Sequence, residues 1–214
     1  MVDSYRHKGL RAQLVAELVK SGIKDEFVLR AIQAVPRHLF LDKAFEEWAY
    51  KDTAFPIDCE QTISQPYTVA FQTSLLHLKA REKVLEIGLG SGYQACVLSE
   101  MGAKVYSIER HKHLHNQTAE RLKSIGYTSI RTFYGDGFKG LPRFAPFDKI
   151  LITAAAPEVP AELIKQLKVG GILVIPLNVG SLQKMIRITK LEDETLKKEQ
   201  FGDFRFVPML KGTE

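Results

Sequence analysis

Residues 84–94, VLEIGLGSGYQ, constrain the fold of this chain more than any other segment. An apolar run leads into glycines at three alternate positions, Gly88, Gly90 and Gly92. Glycine reaches backbone conformations closed to other residues and lets the main chain approach a ligand closely. A strand that enters such a turn and leaves as a helix is the opening of a nucleotide-binding α/β unit, with an adenosine-bearing ligand expected at the turn.

The surrounding pattern extends this unit. Residues 83–87 predict a strand, 93–101 a helix, 104–108 a strand and 113–125 a helix stopped by Gly126. Strands follow at 130–134, 147–153 and 172–177, with a short helix over 160–167 and Gly170-Gly171 before the last strand. Alternating strands and helices predict a doubly wound, mostly parallel sheet covered on both faces. Upstream, Leu10, Leu14, Val15, Leu18 and Val19 recur at helical spacing before Gly22. Asp25 can cap a second helix, which Pro36 ends. Residues 55–64 read as a loop. Pro66 suits the first position of a helix over 67–78, with Ser64 or Gln65 near its cap. The tail changes character: 183–191 and 196–207 read as strands joined by EDET, an antiparallel hairpin on the sheet edge. The expected organisation is one domain over 1–214. It comprises an N-terminal helical region with the following loop (1–80), an α/β core (81–178) and a C-terminal hairpin (179–214).

The glycine turn is G-x-G-x-G, with Tyr93 and Gln94 where a dinucleotide fingerprint would place its third glycine. Two acids flank it. Glu86 stands two residues before Gly88. Glu109 ends the second core strand, where a carboxylate can accept from both ribose hydroxyls and would repel a 2′-phosphate. After the third strand comes YGDGFKG, in which Asp136 can accept from an adenine amine and Gly137 gives the ring edge close access. Together the three segments resemble a class I S-adenosylmethionine (SAM) methyltransferase, a Rossmann-like fold. Gly88, Gly90, Gly92, Glu86, Glu109, Asp136 and Gly137 are the expected cofactor contacts.

Other features narrow the class. The net charge is +5, but the basic residues are scattered, and the densest charged stretch, KLEDETLKKE, mixes signs. This predicts a solvated face and no nucleic-acid partner. No run approaches membrane-spanning length and no leader is visible. With only two cysteines, Cys59 and Cys96, and no metal-type spacing, a cytoplasmic protein with reduced thiols is expected, working as a monomer. His111, His113 and His115 form an HxHxH run without a third ligand type, which reads as a solvated helix start; no metal is expected. His38 reads as structural and Cys96 as a small core residue.

The acceptor is less constrained by these residues. The end of the fourth core strand reads ITAAAPEVP and offers no side chain suited to gripping a base amine. That points to an acceptor already nucleophilic. A small-molecule or RNA methyltransferase, or a non-catalytic SAM-binding module, remains open at this level.

A resemblance goes further. PRHLF (36–40), QTISQPY (61–67), VLEIGLGSGYQ, GDGFKGLP (135–142), APFDKILITAAAPEVP (145–160), LKVGGILVIPL (167–177) and RFVP (205–208) occur in the order found in the protein-L-isoaspartate (D-aspartate) O-methyltransferase family, which this chain closely resembles from residue 36 onward. The resemblance implies methyl transfer from SAM to the free α-carboxylate of L-isoaspartyl residues in damaged proteins, leaving S-adenosyl-L-homocysteine. The ester then closes to a succinimide, whose hydrolysis restores some normal aspartate. It also implies that Gln61, Thr62 and Ile63 line the cofactor pocket, that Ser64 orients the acceptor carboxylate, and that Val207 binds the substrate main chain. The chemistry is compatible: a carboxylate with an ordinary pKa of about 4 is ionised at neutral pH and needs no general base. The chain departs from the family pattern at Leu89, where a small or hydroxyl residue is usual, at Asp58–Glu60, where glycines are usual, and in the tail MLKGTE.

Overall fold

The computed structural model describes residues 2–214. Helices α1 (Tyr5–Lys20) and α2 (Glu26–Ala34) open the chain, followed by two 3-10 turns, Arg37–Phe40 and Lys43–Trp48. Asp25 caps α2 as expected, accepting from the Phe27 and Val28 amides at 3.0 and 3.2 Å. Next come β1 (Phe55–Pro56), β2 (Thr62–Ile63) and α3 (Pro66–Leu75). The core runs β3 (Lys83–Ile87), α4 (Tyr93–Glu100), β4 (Lys104–Glu109), α5 (Lys112–Ser124), β5 (Arg131–Tyr134), β6 (Phe147–Ile152), α6 (Ala161–Gln166), β7 (Leu167–Val179), β8 (Leu182–Lys190) and β9 (Leu196–Phe204).

Seven strands form one sheet in the order β5-β4-β3-β6-β7-β8-β9. The pairs from β5 to β7 are parallel, and β7–β8 and β8–β9 are antiparallel. The chain starts at β3, winds outward to β5, then crosses back to lay β6 on the other side of β3. Loops leaving β3 and β6 diverge there, which opens a crevice at their carboxyl ends. Side chains alternate across the sheet: Val84 joins the apolar cluster on one face, and Leu85 and Ile87 the cluster on the other. The first cluster also holds Leu14, Leu18, Val28 and Ile32, so the N-terminal helices pack into the same core as the glycine-turn helix residues Tyr93 and Leu98.

Several boundaries differ from the sequence expectation. The 55–64 segment is not simply a loop, because β1 and β2 pair antiparallel within it. The turn between them places Cys59 and Glu60 in left-handed conformation, φ 58° and 55°, a pair that the side chains give no hint of. Helix α3 begins at Pro66 with Gln65 at its N-cap position, as expected, but the Gln65 side chain makes no capping bond. Asp52, fourteen positions upstream of the helix start, accepts from the Tyr67 amide at 2.7 Å. Strand β9 stops at Phe204, short of Val207, because the chain then swings away from β8 toward Ala155.

Candidate active site

A narrow cavity of about 70 Å³ lies at the carboxyl ends of β3, β4 and β6. Glu109 organises one wall. Its Oε2 accepts from the Gly90 amide at 2.9 Å, and its Oε1 accepts from the amides of Arg110 (2.8 Å) and His111 (3.1 Å). A carboxylate offers roughly four acceptor positions, so three go to tethering the glycine turn and the end of β4, and about one is left for a ligand. Gly88 forms the floor. A Cβ there would stand 2.5 Å from Thr153 Oγ1, so only glycine lets the turn sit against β6. Thr153 Oγ1 in turn lies 2.9 and 3.0 Å from the Ile87 and Gly88 carbonyls. Gly90 and Gly137 complete the lining expected from sequence.

Four expected cofactor residues are not on this lining: Ile63, Glu86, Gly92 and Asp136. Glu86 is fully buried between strands, and Ser107 donates a hydrogen bond to its Oε2. Burial, with Glu109 nearby, pushes its pKa up to about 8. It is therefore a neutral acid beneath the turn and lies outside the cavity lining. Gly92 is also outside the lining: it adopts φ 87°, and a Cβ there would meet Thr118 at 2.8 Å and Leu122 at 3.2 Å on α5. Its role is helix packing. The Asp136 carboxylate accepts from the Phe138 amide of its own loop at 2.9 Å, while its neighbour Gly137 faces the cavity. The departures from the family pattern also have places. Leu89 is buried in the core. Asp58 fastens the β1–β2 turn to α5, accepting from Gln117 Nε2 at 2.8 Å.

The opposite wall comes from the 61–64 stretch. Gln61 and Thr62 line the cavity; Ile63 is buried and meets a smaller recess shared with Ser64. On the far side opens a groove of about 990 Å³, formed by residues 53–71, 181–183 and 202–207. Ser64 is half-buried and lines this groove. Because Asp52 caps α3, the Ser64 hydroxyl is spared that duty, and it has no intramolecular hydrogen bond among the described residues. Thr62, Thr153 and Val207 border both the cavity and the groove.

The sequence reading missed Thr153, Arg110, His111 and Met209 as cavity walls. For Thr153 a signal existed, a hydroxyl at the carboxyl end of a central strand; for Met209 none did, since it arrives from the tail by tertiary contact.

The histidines do not converge on a point. His111 faces Glu214 at 3.4 Å, His113 faces Asp58 at 3.7 Å, and His115 pairs with Asn116 at 3.1 Å. Asp3, His7 and His38 do gather near the N-terminus. There the imidazoles stack face to face at 3.8 Å and 27°, so their in-plane lone pairs run side by side, and Asp3 is held by Arg11 at 3.0 and 3.1 Å. His38 is structural as expected: it is buried, bonded to the Tyr50 hydroxyl at 2.6 Å, and its pKa is lowered by burial. Cys96 is buried, which pushes its thiol pKa up.

The family model described as protein-L-isoaspartate (D-aspartate) O-methyltransferase matches residues 9–214. The chain belongs to this family. A protein-L-isoaspartate O-methyltransferase of Cytophaga hutchinsonii is 58% identical over 210 residues, covering 98% of this chain and 95% of that one. The Christiangramia forsetii enzyme of the same name is 55% identical over 211 residues, covering 99% of each. Among solved structures, a Plasmodium falciparum protein described as a protein-L-isoaspartate O-methyltransferase, in complex with S-adenosyl-L-homocysteine, superposes with a TM-score of 0.83. It is 25% identical, and the match covers 94% of this chain and 99% of that one. The activity is that of the family: SAM-dependent methylation of L-isoaspartyl residues in proteins, which begins their repair. The glycine-lined floor and the Glu109 carboxylate fit the adenosyl half of that cofactor.

Proposed function

We propose that this isoaspartyl methyltransferase divides its labour across the wall formed by Thr62, Thr153 and Val207. The cofactor, held between the glycine turn, Glu109 and Gly137, supplies a methyl group on a positively charged sulfur. The damaged peptide lies in the groove. Ser64 donates one hydrogen bond to the acceptor carboxylate and points an oxygen across the wall. Val207 offers its main chain to the peptide, in the manner of an added strand. The shared border is the observation that supports this reading: the cavity and the groove that Ser64 lines have Thr62, Thr153 and Val207 in common.

The residue chemistry matches the task. The acceptor is already ionised, so what the site must supply is alignment and exclusion of water. Alignment of reactants can contribute about 7–11 kcal/mol at best. Both reacting charges are lost in the transfer. A strongly bound carboxylate would attack slowly, so one neutral hydroxyl is a suitable compromise. The protein works as a monomer in the cytoplasm, without a nucleic-acid partner; its two free thiols support a reducing compartment.

The test is Ser64→Ala. Loss of one hydrogen bond to an ionised carboxylate is worth about 1.5–3 kcal/mol, shared between substrate binding and turnover. Turnover on an isoaspartyl peptide is expected to fall by up to about tenfold, with SAM affinity by calorimetry unchanged. Wild-type turnover, or a labelled acyl-enzyme trapped on Ser64, would contradict the role.

A further inference from the structure

Gln183 carries a feature that the reaction described so far does not use. It stands on β8, opposite Phe204, the last residue of β9 to join the ladder. Beyond Phe204 there is no strand partner, yet the next stretch stays fixed. The Gln183 side chain reaches forward and bonds Phe206 twice: its Nε2 donates to the Phe206 carbonyl at 3.2 Å, and its Oε1 accepts from the Phe206 amide at 2.5 Å. A side-chain amide has one donor face and one acceptor face, so here it stands in for the backbone of a neighbouring strand.

The consequence falls on Val207. In an extended chain the amide and carbonyl groups of successive residues point to opposite edges. With both groups of Phe206 held toward β8, those of Val207 point away from it. The Val207 carbonyl accepts from the Ala155 amide at 2.8 Å, and the Ala155 carbonyl accepts from the Met209 amide at 2.7 Å. Pro208 has no amide hydrogen. The Val207 amide has no acceptor within the chain among the described residues, and Val207 borders the groove. Two anchors, one on each side, thus leave the Val207 amide free at the wall between the cavities. By holding Phe206 toward β8 they keep this stretch from turning over, which would carry the Val207 amide away from the wall.

We propose that Gln183 is a positioning residue for the peptide substrate: its amide locks Phe206 toward β8 so that the Val207 amide stays turned outward, beside the acceptor site. The proposal rests on the reading of residues 205–207 as the peptide-binding segment.

The test uses the full-length protein and two variants of nearly unchanged side-chain length. Gln183→Met removes both bonds. Gln183→Glu keeps the acceptor for the Phe206 amide but sets a carboxylate oxygen against the Phe206 carbonyl. For both variants the KM for an isoaspartyl peptide is expected to rise about tenfold. Here kcat should stay within about twofold and SAM affinity should be unchanged, with Gln183→Glu no better than Gln183→Met. Hydrogen exchange at the Phe206 amide in the peptide-free protein should accelerate at least tenfold in Gln183→Met. Wild-type KM in both variants would overturn the proposal, as would a fall in kcat and SAM affinity parallel to the rise in KM, which is what general loosening produces. If wild-type protein gave no peptide-dependent turnover, the underlying reading would fail first and the proposal with it. If peptide binding survived Val207→Pro, which removes the free amide, the segment would not be the pairing edge even though the enzyme is active.

Discussion

Along the cofactor cavity, main-chain groups are tied down by buried side chains: Glu109 alone holds three amides, and Thr153 seals the floor under Gly88. Along the peptide groove the walls come from three segments far apart in sequence. They are kept in place by reaches from a distance, Asp52 to the start of α3 and Gln183 to Phe206. One side is narrow and preorganised for a single ligand. The other is wide and flanked by the rings of Tyr67, Phe71, Phe204 and Phe206; we propose that it takes the peptide by its backbone. The difference matches the two jobs: one invariant cofactor, and peptides whose only common feature is the damage.

The comparison can be broken from either side. The largest effect is expected beneath the cofactor turn. Glu86 is ordinary in the unfolded chain, near 4.5, and raised to about 8 when folded. Between those values the unfolded state releases a proton that the folded state keeps, so stability falls as pH rises through that window and levels off above it. The full difference is on the order of 5 kcal/mol. Glu86→Gln, a neutral isostere, should flatten the slope; denaturant titrations at pH 5 and pH 8 check this. Equal pH dependence in both proteins would mean that Glu86 is ionised in the fold.

Next in size is Glu109→Ala. SAM affinity should drop by about 1.5–3 kcal/mol, the range for losing hydrogen bonds to a charged group, while peptide KM measured at saturating SAM stays near wild type. Unchanged calorimetric affinity in a folded variant would remove Glu109 from the site. The smallest effect belongs to the groove. Asp52→Ala deletes the cap of α3 and should cost about 0.5–2 kcal/mol of stability. It should raise peptide KM and leave SAM affinity unmoved. A variant that lost cofactor binding instead would show that the two sides are not separable.

How much of this was legible in the sequence follows the same division. Strands β3, β4 and β6 were readable because both faces of each are buried, which writes long apolar runs such as KILI. The glycine turn was readable because Gly88 answers to close approach and Gly90 to a left-handed φ of 50°. The same logic does not tell Gly92 apart, whose constraint comes from Thr118 and Leu122 on another helix. Nor does it separate the places of Glu86 and Glu109, since a buried acid and a cavity-facing acid are the same letter. The groove was harder. Asp52 caps a helix that starts at Pro66, Gln183 mimics a strand, and the β1–β2 turn uses left-handed Cys59 and Glu60; each depends on tertiary neighbours and leaves no local pattern. Ser64 and Val207 came from family resemblance, and their roles remain to be measured.

The central claim is that main-chain geometry, read by the groove and the wall, decides which carboxylate is methylated. An isoaspartyl residue adds a methylene to the backbone and places its free carboxylate beside the main chain, whereas a normal aspartate carries it on a side chain pointing away. A misplacement near 1 Å can cost about 100-fold in rate. The most direct measurement is steady-state methylation of several matched peptide pairs of differing sequence, each with isoaspartyl or aspartyl at one position, counting base-labile methyl esters. The account predicts methylation of every isoaspartyl member and essentially none of its aspartyl partner; comparable rates within the pairs, or activity confined to one flanking sequence, would contradict it.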